Sequence, residues 1–373
     1  MMGMKEGYVP GLENVIAAET NLSYLDVENE EIVVRGYNLI ELAQKVTYLD
    51  VAHLLLKGSL PDAGQREELE KSLRQESDVP KYIWDILSLL PKSTHMMDAL
   101  RTGISALAGQ EPEIDDRSPE ANFRKSIRLL AKVPQIVANS YRAINQLPLA
   151  EPYKENLSYS ANFLHMITGK VPTELEAKVF DQSLIAYIEH EMPNSTFTAR
   201  VIASTQADVI GALTGAVASL KGTLHGGANE AVMHMMLEAE KPEDVEPLIM
   251  SKLARKERIM GFGHRVYMKK LDPRAQLMKE ALKPLAEMKG QEQLYQMFEI
   301  GEQVMKREKG LYPNLDYYAA PVYYLLGIPI DLFTPVFLAA RTAGICAHVI
   351  EQHANNRLFR PRVLYTGPRN LHP

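Results

Sequence analysis

The chain has 373 residues, of which 46% are hydrophobic, and its formal net charge is −6 at pH 7. This length exceeds the roughly 250–300 residues at which a single hydrophobic core stops growing, so we expect two domains. No run of basic residues stands out, which argues against a nucleic-acid partner. A local group of arginines is still compatible with a small anionic ligand.

Three features bear on the cell compartment. The single cysteine, Cys346, cannot form an internal disulfide, and its apolar neighbours indicate a core residue rather than a nucleophile. The first residues, MMGMKEGYVPG, contain no apolar signal-peptide region. The longest run of small apolar residues, 201–220, contains Gln206 and Asp208, which makes it a poor membrane span. We therefore expect a cytoplasmic protein that does not bind membranes.

The first part of the chain predicts one strand followed by helices. EIVVR at 31–35 is short and β-branched and precedes a glycine, which indicates a strand. From Leu39 onward, apolar residues recur at steps of three and four, the helical period. Thr173 and Glu176 have the spacing of a capping box. The predicted helices cover residues 39–56, 65–76, 80–90, 95–107, 124–144, 158–167, 173–190 and 195–220.

The second part of the chain is also predicted to be helical. Residues 228–310 form helical segments, with loops at 241–244 and 261–273, and residues 317–326 form an apolar helix. Thr334, followed by a proline, is the predicted N-cap of a helix that continues to about Asn355. The Pro- and Arg-rich tail is predicted to be extended. Strands do not alternate with helices, so the predicted fold class is all-α.

Two histidines and one aspartate occur in motifs rich in glycine or proline. They are His225 in TLHGGANEA, His264 in GFGHRVY and Asp316 in YPNLDYY. A neutral histidine donates or accepts a proton near pH 7, and a carboxylate is a suitable base for a carbon acid. The set indicates enol or carbanion chemistry. Each residue also has a structural interpretation, since Asp316 fits a helix cap or turn and either histidine fits a satisfied core position.

The three motifs resemble the active-site segments of the citrate synthase family, in the same order and at similar spacing. The similarity continues in EHEMPNSTFTAR, ARTAGICAHVIEQ and FRPRVLYTG, and spans nearly the whole chain. It implies a multi-helical enzyme that condenses an acyl-CoA with oxaloacetate and water. It also implies a small domain, 223–328, inserted between two parts of a large domain, 1–222 and 329–373. No permanent cofactor or metal is expected, because acyl-CoA and CoA are substrate and product.

The resemblance implies a role for each candidate residue. Asp316 is expected to remove the α-proton of the thioester, His225 to donate to the enol oxygen, and His264 to donate to the oxaloacetate carbonyl. We expect a neutral imidazole at His225, near a helix N-terminus. Guanidinium binds carboxylates bidentately, and the residues that match the family's oxaloacetate ligands are His190, Arg274, Arg341 and Arg360.

The resemblance further implies a homodimer in which Arg360 completes the site of the partner subunit, although Arg362 is equally basic. Gly211 and Gly215 indicate close helix packing, and the sequence alone leaves open whether this is within one subunit or between subunits. The resemblance favours the subunit interface, because the family dimerises through helices in this region. The residues expected to contact coenzyme A are Arg258, Ile259, Met260, Gly261, Phe262 and Lys309. The segment between His264 and Arg274 is one residue longer than is usual in the family, which leaves the roles of Lys269 and Lys270 towards the CoA phosphates open.

The acyl group is the main open point. The stretch NLDYYAAPVYYLLG, with Ala319 and Ala320 shortly after Asp316, is more similar to the 2-methylcitrate branch of the family. We therefore expect propionyl-CoA to be favoured and acetyl-CoA to be used as well, since one methylene is worth only about 1–3 kcal/mol. A dedicated citrate synthase is the alternative. A non-catalytic helical scaffold and a metal hydrolase are more remote, and no HExxH motif supports the latter.

Overall fold

A computed structural model of the protein describes residues 8–154, 156–263 and 271–373. His264, Lys269 and Lys270 lie outside the described residues, so the roles predicted for them stay predictions. All other candidate residues lie within these ranges.

A small antiparallel sheet begins the fold. It has the order β1 (Ser23–Asp26), β2 (Glu31–Val34) and β3 (Tyr37–Asn38), with Ser23 opposite Val34 in the register. The sequence predicts only β2. Strand β1 is as long as β2, but its sequence SYLD lacks the β-branched residues that mark EIVV. Strand β3 has two residues and runs directly into a helix whose N-cap is Asn38, so it is too short to show a strand pattern.

Within the described ranges, sixteen α-helices make up most of the fold, which confirms the all-α class. The helices are α1 (Leu39–Lys45), α2 (Tyr48–Lys57), α3 (Ala63–Gln75), α4 (Lys81–Ser88), α5 (Met96–Ala106), α6 (Pro119–Ile144), α7 (Tyr159–Thr168), α8 (Glu174–Ile188), α9 (Asn194–Ala203), α10 (Val209–Leu220), α11 (Ala228–Met236), α12 (Pro242–Ala254), α13 (Pro273–Lys289), α14 (Glu292–Lys309), α15 (Leu315–Leu325) and α16 (Phe333–Ala354).

Two of the predicted helices are each divided in the structure. Thr47 forms a capping box with Asp50 and separates α1 from α2. Asp208 accepts a hydrogen bond from the backbone N–H of Gly211 and begins α10 apart from α9. In both places a short polar side chain takes up free N–H groups of a new helix, a signal that apolar periodicity does not detect.

Three predicted boundaries are wrong. The helix predicted from 124 begins at Pro119, after the N-cap Ser118. Most of the predicted loop 241–244 is the first turn of α12. Thr334 is not an N-cap but lies inside α16, where its hydroxyl hydrogen-bonds to Glu230. That partner is 104 residues away in the chain, so local sequence does not show it.

Helix α16 occupies the centre of the core and packs against α2, α6, α8, α9 and α10. Among the described residues, the stretch 330–354 is the one long and apolar enough to span a membrane by composition, and 94% of its most apolar window is buried inside this fold. A Cβ on Gly344 would lie 2.3 Å from the Ile188 carbonyl oxygen. Glycine at this position therefore allows α16 to approach the end of α8, where the site begins.

A second group of helices carries the other half of the site. Helix α15 packs against α11 and α13, α12 packs against α14, and α13 also contacts α8. Helices α11 to α15 fall within the predicted small domain, 223–328, whose boundaries stay predictions, whereas α8 belongs to the predicted large domain. The close spacing of Gly211 and Gly215 has an explanation within one chain, because a Cβ on Gly215 would meet the Ile202 side chain of α9 at 2.1 Å.

Candidate active site

Asp316 is the second residue of α15 and is only partly exposed. The N-cap of this helix is Asn314, whose side chain accepts the Asp316 N–H at 3.1 Å. The Asp316 carboxylate is therefore not needed as a cap, and its Oδ1 accepts a hydrogen bond from the Tyr187 hydroxyl at 2.7 Å. Burial raises the pKa of Asp316 to about 6, against the opposing effects of Tyr187, Arg274 and Arg341. Such a carboxyl is ionised at neutral pH and more basic than an exposed one.

His225 lies in the turn between α10 and α11. Its backbone N–H donates to the Gly222 carbonyl at 2.8 Å, and the next N–H, of Gly226, donates to the Leu220 carbonyl at 2.9 Å. A Cβ on Gly226 would lie 2.6 Å from that same Leu220 oxygen, so the turn requires glycine there. The HGG sequence therefore folds the chain back tightly and holds the imidazole at one position.

The hydrogen bonds of His225 define its tautomer. Its Nε2 lies 3.2 Å from the backbone nitrogen of Ser195 and 2.9 Å from the Ser195 hydroxyl. A backbone N–H can only donate, so Nε2 accepts and the imidazole proton resides on Nδ1. Burial, with a further contribution from Arg341, lowers the pKa of His225 to about 4, which keeps the ring neutral near pH 7. Burial, and not the helix dipole expected from the sequence, is the main cause of the neutral state of His225.

One aromatic side chain connects the two groups. Phe337 of α16 packs against Tyr187 with ring centres 4.2 Å apart and against His225 at 6.4 Å. Tyr187 in turn bonds Asp316. The structure thus brings His225 and Asp316, 91 positions apart in the sequence numbering, around one pair of aromatic rings.

Arg274 and Arg341 form the cationic part of the site, and both are almost fully buried. The guanidinium of Arg274 binds Asp272 through two nitrogens, at 3.0 and 2.7 Å, and donates to Nε2 of His190 at 3.1 Å. Nε of Arg341 donates to the Tyr187 carbonyl at 2.9 Å, and its guanidinium lies 4.5 Å from the centre of the Phe337 ring. Burial and Arg274 lower the pKa of Arg341 to about 10, so it remains charged at neutral pH.

A buried network of hydrogen bonds lies beside the two arginines. The sequence motifs do not indicate this network. Arg200 donates to Nδ1 of His348 at 3.0 Å, so the His348 proton is on Nε2 and is donated to Glu189 at 3.0 Å. Ser23 of β1 donates to the same Glu189 oxygen at 2.8 Å. These bonds, with Arg341 nearby, lower the pKa of Glu189 although it is buried. Glu189 is therefore an anion fixed beside Arg341.

The segment expected to contact coenzyme A is held against the segment that carries Asp316. The Gly263 N–H donates to the Tyr312 carbonyl at 3.0 Å, and the Asn314 N–H donates to the Gly261 carbonyl at 2.9 Å. Gly261 has φ +85°, and a Cβ there would lie 2.6 Å from the Val232 side chain. His264 follows Gly263 directly but lies outside the described residues. Ile259 and Phe262 are buried, Met260 is partly buried, and Arg258 and Lys309 are exposed.

Arg360 is not part of this cluster. It is exposed on the extended tail after α16, next to Phe359, which packs against Phe197 at 5.7 Å and bonds Ser204 through its backbone N–H. In the parts of the chain that the structure describes, no hydrogen bond or ion pair joins Arg360 to the buried site. The same parts contain no group of three His, Cys, Asp or Glu side chains suited to a metal ion.

A helical fold that places a carboxylate of raised pKa, a neutral imidazole and two buried arginines in one site has the groups needed by an enzyme that activates a carbon acid beside an anionic substrate. A family model described as citrate synthase, C-terminal domain, matches residues 11–362. The citrate/2-methylcitrate synthase of Bacillus subtilis is 61% identical over 368 residues, 99% of each chain. The citrate synthase of Heyndrickxia coagulans is 61% identical over 364 residues, 98% of this chain and 97% of that one.

Solved structures agree with the sequence comparison. The ternary complex of Thermoplasma acidophilum citrate synthase with carboxymethyl coenzyme A and oxaloacetate has a TM-score of 0.91 at 31% identity, and the match covers 97% of each chain. The chain belongs to the citrate synthase family and is an enzyme of that type, which condenses an acyl-CoA with oxaloacetate.

Proposed function

We propose that the protein condenses propionyl-CoA with oxaloacetate and water to 2-methylcitrate and CoA, and that acetyl-CoA reacts at the same site to give citrate. The observation that carries this proposal is the convergence of Asp316, the Nδ1–H tautomer of His225 and two buried arginines. A base, a neutral donor and fixed cations are what an enol intermediate and a dicarboxylate require. The shared site accounts for both acyl groups, because they differ by one methylene.

In the proposed reaction, Asp316 takes a proton from the α-carbon of the thioester. The electron pair of the broken C–H bond moves towards the thioester oxygen, where the Nδ1–H of His225 stabilises the enol. The α-carbon then attacks the ketone carbon of oxaloacetate, and His264 is proposed to donate to the ketone oxygen. Water cleaves the thioester, and CoA leaves as the thiol.

The cationic residues are proposed to bind the two carboxylates of oxaloacetate. Arg274, His190 and Arg341 are already positioned by Asp272, by each other and by the Tyr187 carbonyl. Fixed guanidinium groups need little reorganisation when an anion arrives, which favours binding in a buried site. Arg258, Lys309 and the backbone of 259–262 are proposed to contact coenzyme A, with the two exposed side chains facing its phosphates.

Propionyl-CoA is favoured on two grounds. Ala319 and Ala320 lie one helical turn after Asp316, so the side chains next to the base on α15 are small. A relative with 61% identity carries the name citrate/2-methylcitrate synthase. Side-by-side kcat/KM values for propionyl-CoA and acetyl-CoA test the preference. A preference for acetyl-CoA above about tenfold would leave the alternative, a dedicated citrate synthase.

We also propose a homodimer in which Arg360 completes the site of the partner subunit. The tail that carries Arg360 exposes apolar side chains, with Val363 90% and Leu371 77% accessible, as expected of a segment that packs on another chain. Mixing an Arg360→Leu protein with an Asp316→Asn protein should restore part of the activity, because one native site forms per mixed dimer. Arg362→Leu is the matched control. No recovery despite proven subunit exchange would indicate self-contained sites.

The two domains are proposed to close over the active site when substrate binds. Residues 223–328 would move against the remainder and exclude water from the enol. The joins contain Gly222, Gly226 and Gly227 at one end and Gly327, with φ +80°, at the other. Small-angle scattering with and without oxaloacetate should show a smaller radius of gyration in the complex. An unchanged radius in the presence of both oxaloacetate and an acyl-CoA analogue would argue against domain movement.

A further inference from the structure

Tyr187 contacts both halves of the site, although no role in the reaction follows from its place in the sequence. It is in the last turn of α8, 1% exposed, within the apolar run LIAYI. Its hydroxyl donates to Oδ1 of Asp316 at 2.7 Å, and its carbonyl accepts Nε of Arg341 at 2.9 Å. Its ring packs against Phe337 at 4.2 Å. The side chain is therefore fixed from three directions.

The hydrogen bond from Tyr187 to Oδ1 makes the two carboxylate oxygens of Asp316 different from each other. Within the described residues, no hydrogen bond is made to Oδ2. A proton is taken up along a lone pair of an oxygen that has no other donor, so Oδ2 is the atom available to the substrate. A single hydrogen bond to Oδ1 also restricts rotation of the carboxylate, because the phenol is held by its own packing.

We propose that Tyr187 is a positioning residue for the reaction, whose hydroxyl holds Oδ1 of Asp316 so that Oδ2 faces the α-carbon and the carboxylate stays ionised in a buried site. This inference rests on the proposed role of Asp316 as the base. The hydroxyl keeps its own proton, because burial and the neighbouring carboxylate hold the pKa of Tyr187 well above its ordinary value.

Other groups that face Asp316 do not replace this bond. Arg274 and Asp272 approach from α13 and its cap, and Arg341 approaches from α16. These act on Asp316 through space, and the Arg274 guanidinium is bound to Asp272. Burial raises the pKa of the hydroxyl of Tyr323, on α15 itself, and Asp316 is close enough for its carboxylate charge to raise that pKa further. Asn229 of α11 lies near the Tyr187 hydroxyl. Among the residues that the structure describes, Tyr187 is the one whose side chain donates a hydrogen bond directly to the carboxylate of Asp316.

The test is the pH dependence of kcat/KM for the acyl-CoA at saturating oxaloacetate, measured for Tyr187→Phe. Loss of a donor to the ionised form shifts the acidic limb to higher pH, and we expect a shift of about one unit. Activity below the limb then falls about tenfold more than activity on the plateau. A purely structural defect would lower the rate equally at every pH and would overturn the proposal.

Two further measurements separate the possible outcomes. Difluorotyrosine at position 187 is a stronger donor than tyrosine and should move the same limb to lower pH, which also covers the case of a poorly folded Phe variant. Tyr317→Phe is the matched control, since its buried hydroxyl donates to the Phe298 carbonyl at 2.9 Å and should leave the limb in place. If Asp316→Asn keeps native activity, the assignment of the base has failed. If Asp316→Asn is inactive but neither Tyr187 variant shifts the limb, only the role of Tyr187 has failed.

Discussion

The site has two parts, an acid–base half with Asp316 and His225 and a cationic half with Arg274 and Arg341, and the two halves differ in the charge of their partners. On the acid–base half, Asp316 and His225 are held by neutral donors, Tyr187 and Ser195, and their pKa values move to about 6 and about 4. On the cationic half, Arg274 has the carboxylate of Asp272 as a direct partner and Arg341 has the anion Glu189 nearby.

The difference fits what each half is proposed to do. A group that exchanges a proton must have protonation states of similar free energy, and neutral partners in a buried setting provide this. A group that binds an anion must keep its charge, which a buried counter-charge ensures. Substitutions on the first half should therefore change rate and pH dependence, and substitutions on the second should change oxaloacetate affinity.

The largest effect is expected for Asp316→Asn. The amide cannot take up the α-proton, so proton exchange of the acyl-CoA with solvent should fall by at least about 10²–10⁴-fold. Oxaloacetate should still bind, because its proposed ligands are on the other half. Exchange measured by NMR and binding measured by calorimetry test both statements. Asp331→Asn, at an exposed carboxylate, is the control, and native exchange in Asp316→Asn would place the base elsewhere.

Arg341→Leu should mainly weaken oxaloacetate binding, whereas Asp316→Asn should mainly slow proton exchange. Removal of the buried guanidinium leaves Glu189 without its neighbouring cation and removes a proposed oxaloacetate ligand, a loss of about 2–5 kcal/mol or roughly 30- to several-thousand-fold in affinity. Arg341→Lys keeps the charge but not the planar bonds to carboxylate and carbonyl, so it should recover only part of the affinity. An unchanged Kd for oxaloacetate in Arg341→Leu would remove this residue from the site.

The free energy of unfolding of Asp316→Asn tests the raised pKa of Asp316 without measuring activity. Burial raises the pKa of Asp316 in the folded protein to about 6, above its unfolded value of roughly 3.9. The folded state thus binds the proton more tightly, and the wild type loses stability as pH rises from about 4 to 6. The neutral Asn variant should be more stable by about 1–3 kcal/mol at pH 7–8 and similar at pH 4. Chemical denaturation at both pH values measures this, and an equal difference at both would indicate packing instead of charge.

The sequence indicates the residues that are proposed to carry the chemistry more readily than the residues that hold them in place. His225, Asp316, Arg274 and Arg341 occur in compact motifs. The hydrogen bond between Tyr187 and Asp316 joins residues 129 positions apart in the sequence, and that between His348 and Glu189 joins residues 159 positions apart. Both supporting contacts arise only from tertiary packing, and local pattern assigns Tyr187 to the core.

The fold shows the same limit. Helical periodicity identifies nearly every helix, yet the breaks at Thr47 and Asp208 depend on single side chains that cap a new helix. The EHE sequence offers one usable signal for Glu189, since an acidic residue at a buried helix end, next to the proposed oxaloacetate ligand His190, requires a partner. That signal does not name the partner, which here is His348 on α16.

The smallest effect is expected for Ser195→Ala, which tests how the tautomer of His225 is fixed. The variant removes the hydroxyl 2.9 Å from Nε2 but keeps the backbone N–H at 3.2 Å, and that N–H alone is sufficient to hold the proton on Nδ1. Loss of one neutral hydrogen bond is worth about 0.5–1.5 kcal/mol, so kcat should fall only about 2- to 12-fold. Ser195→Thr, which keeps a hydroxyl, is the control. A fall of a hundredfold or more in Ser195→Ala would mean that the hydroxyl, and not the amide, determines which nitrogen donates to the enol.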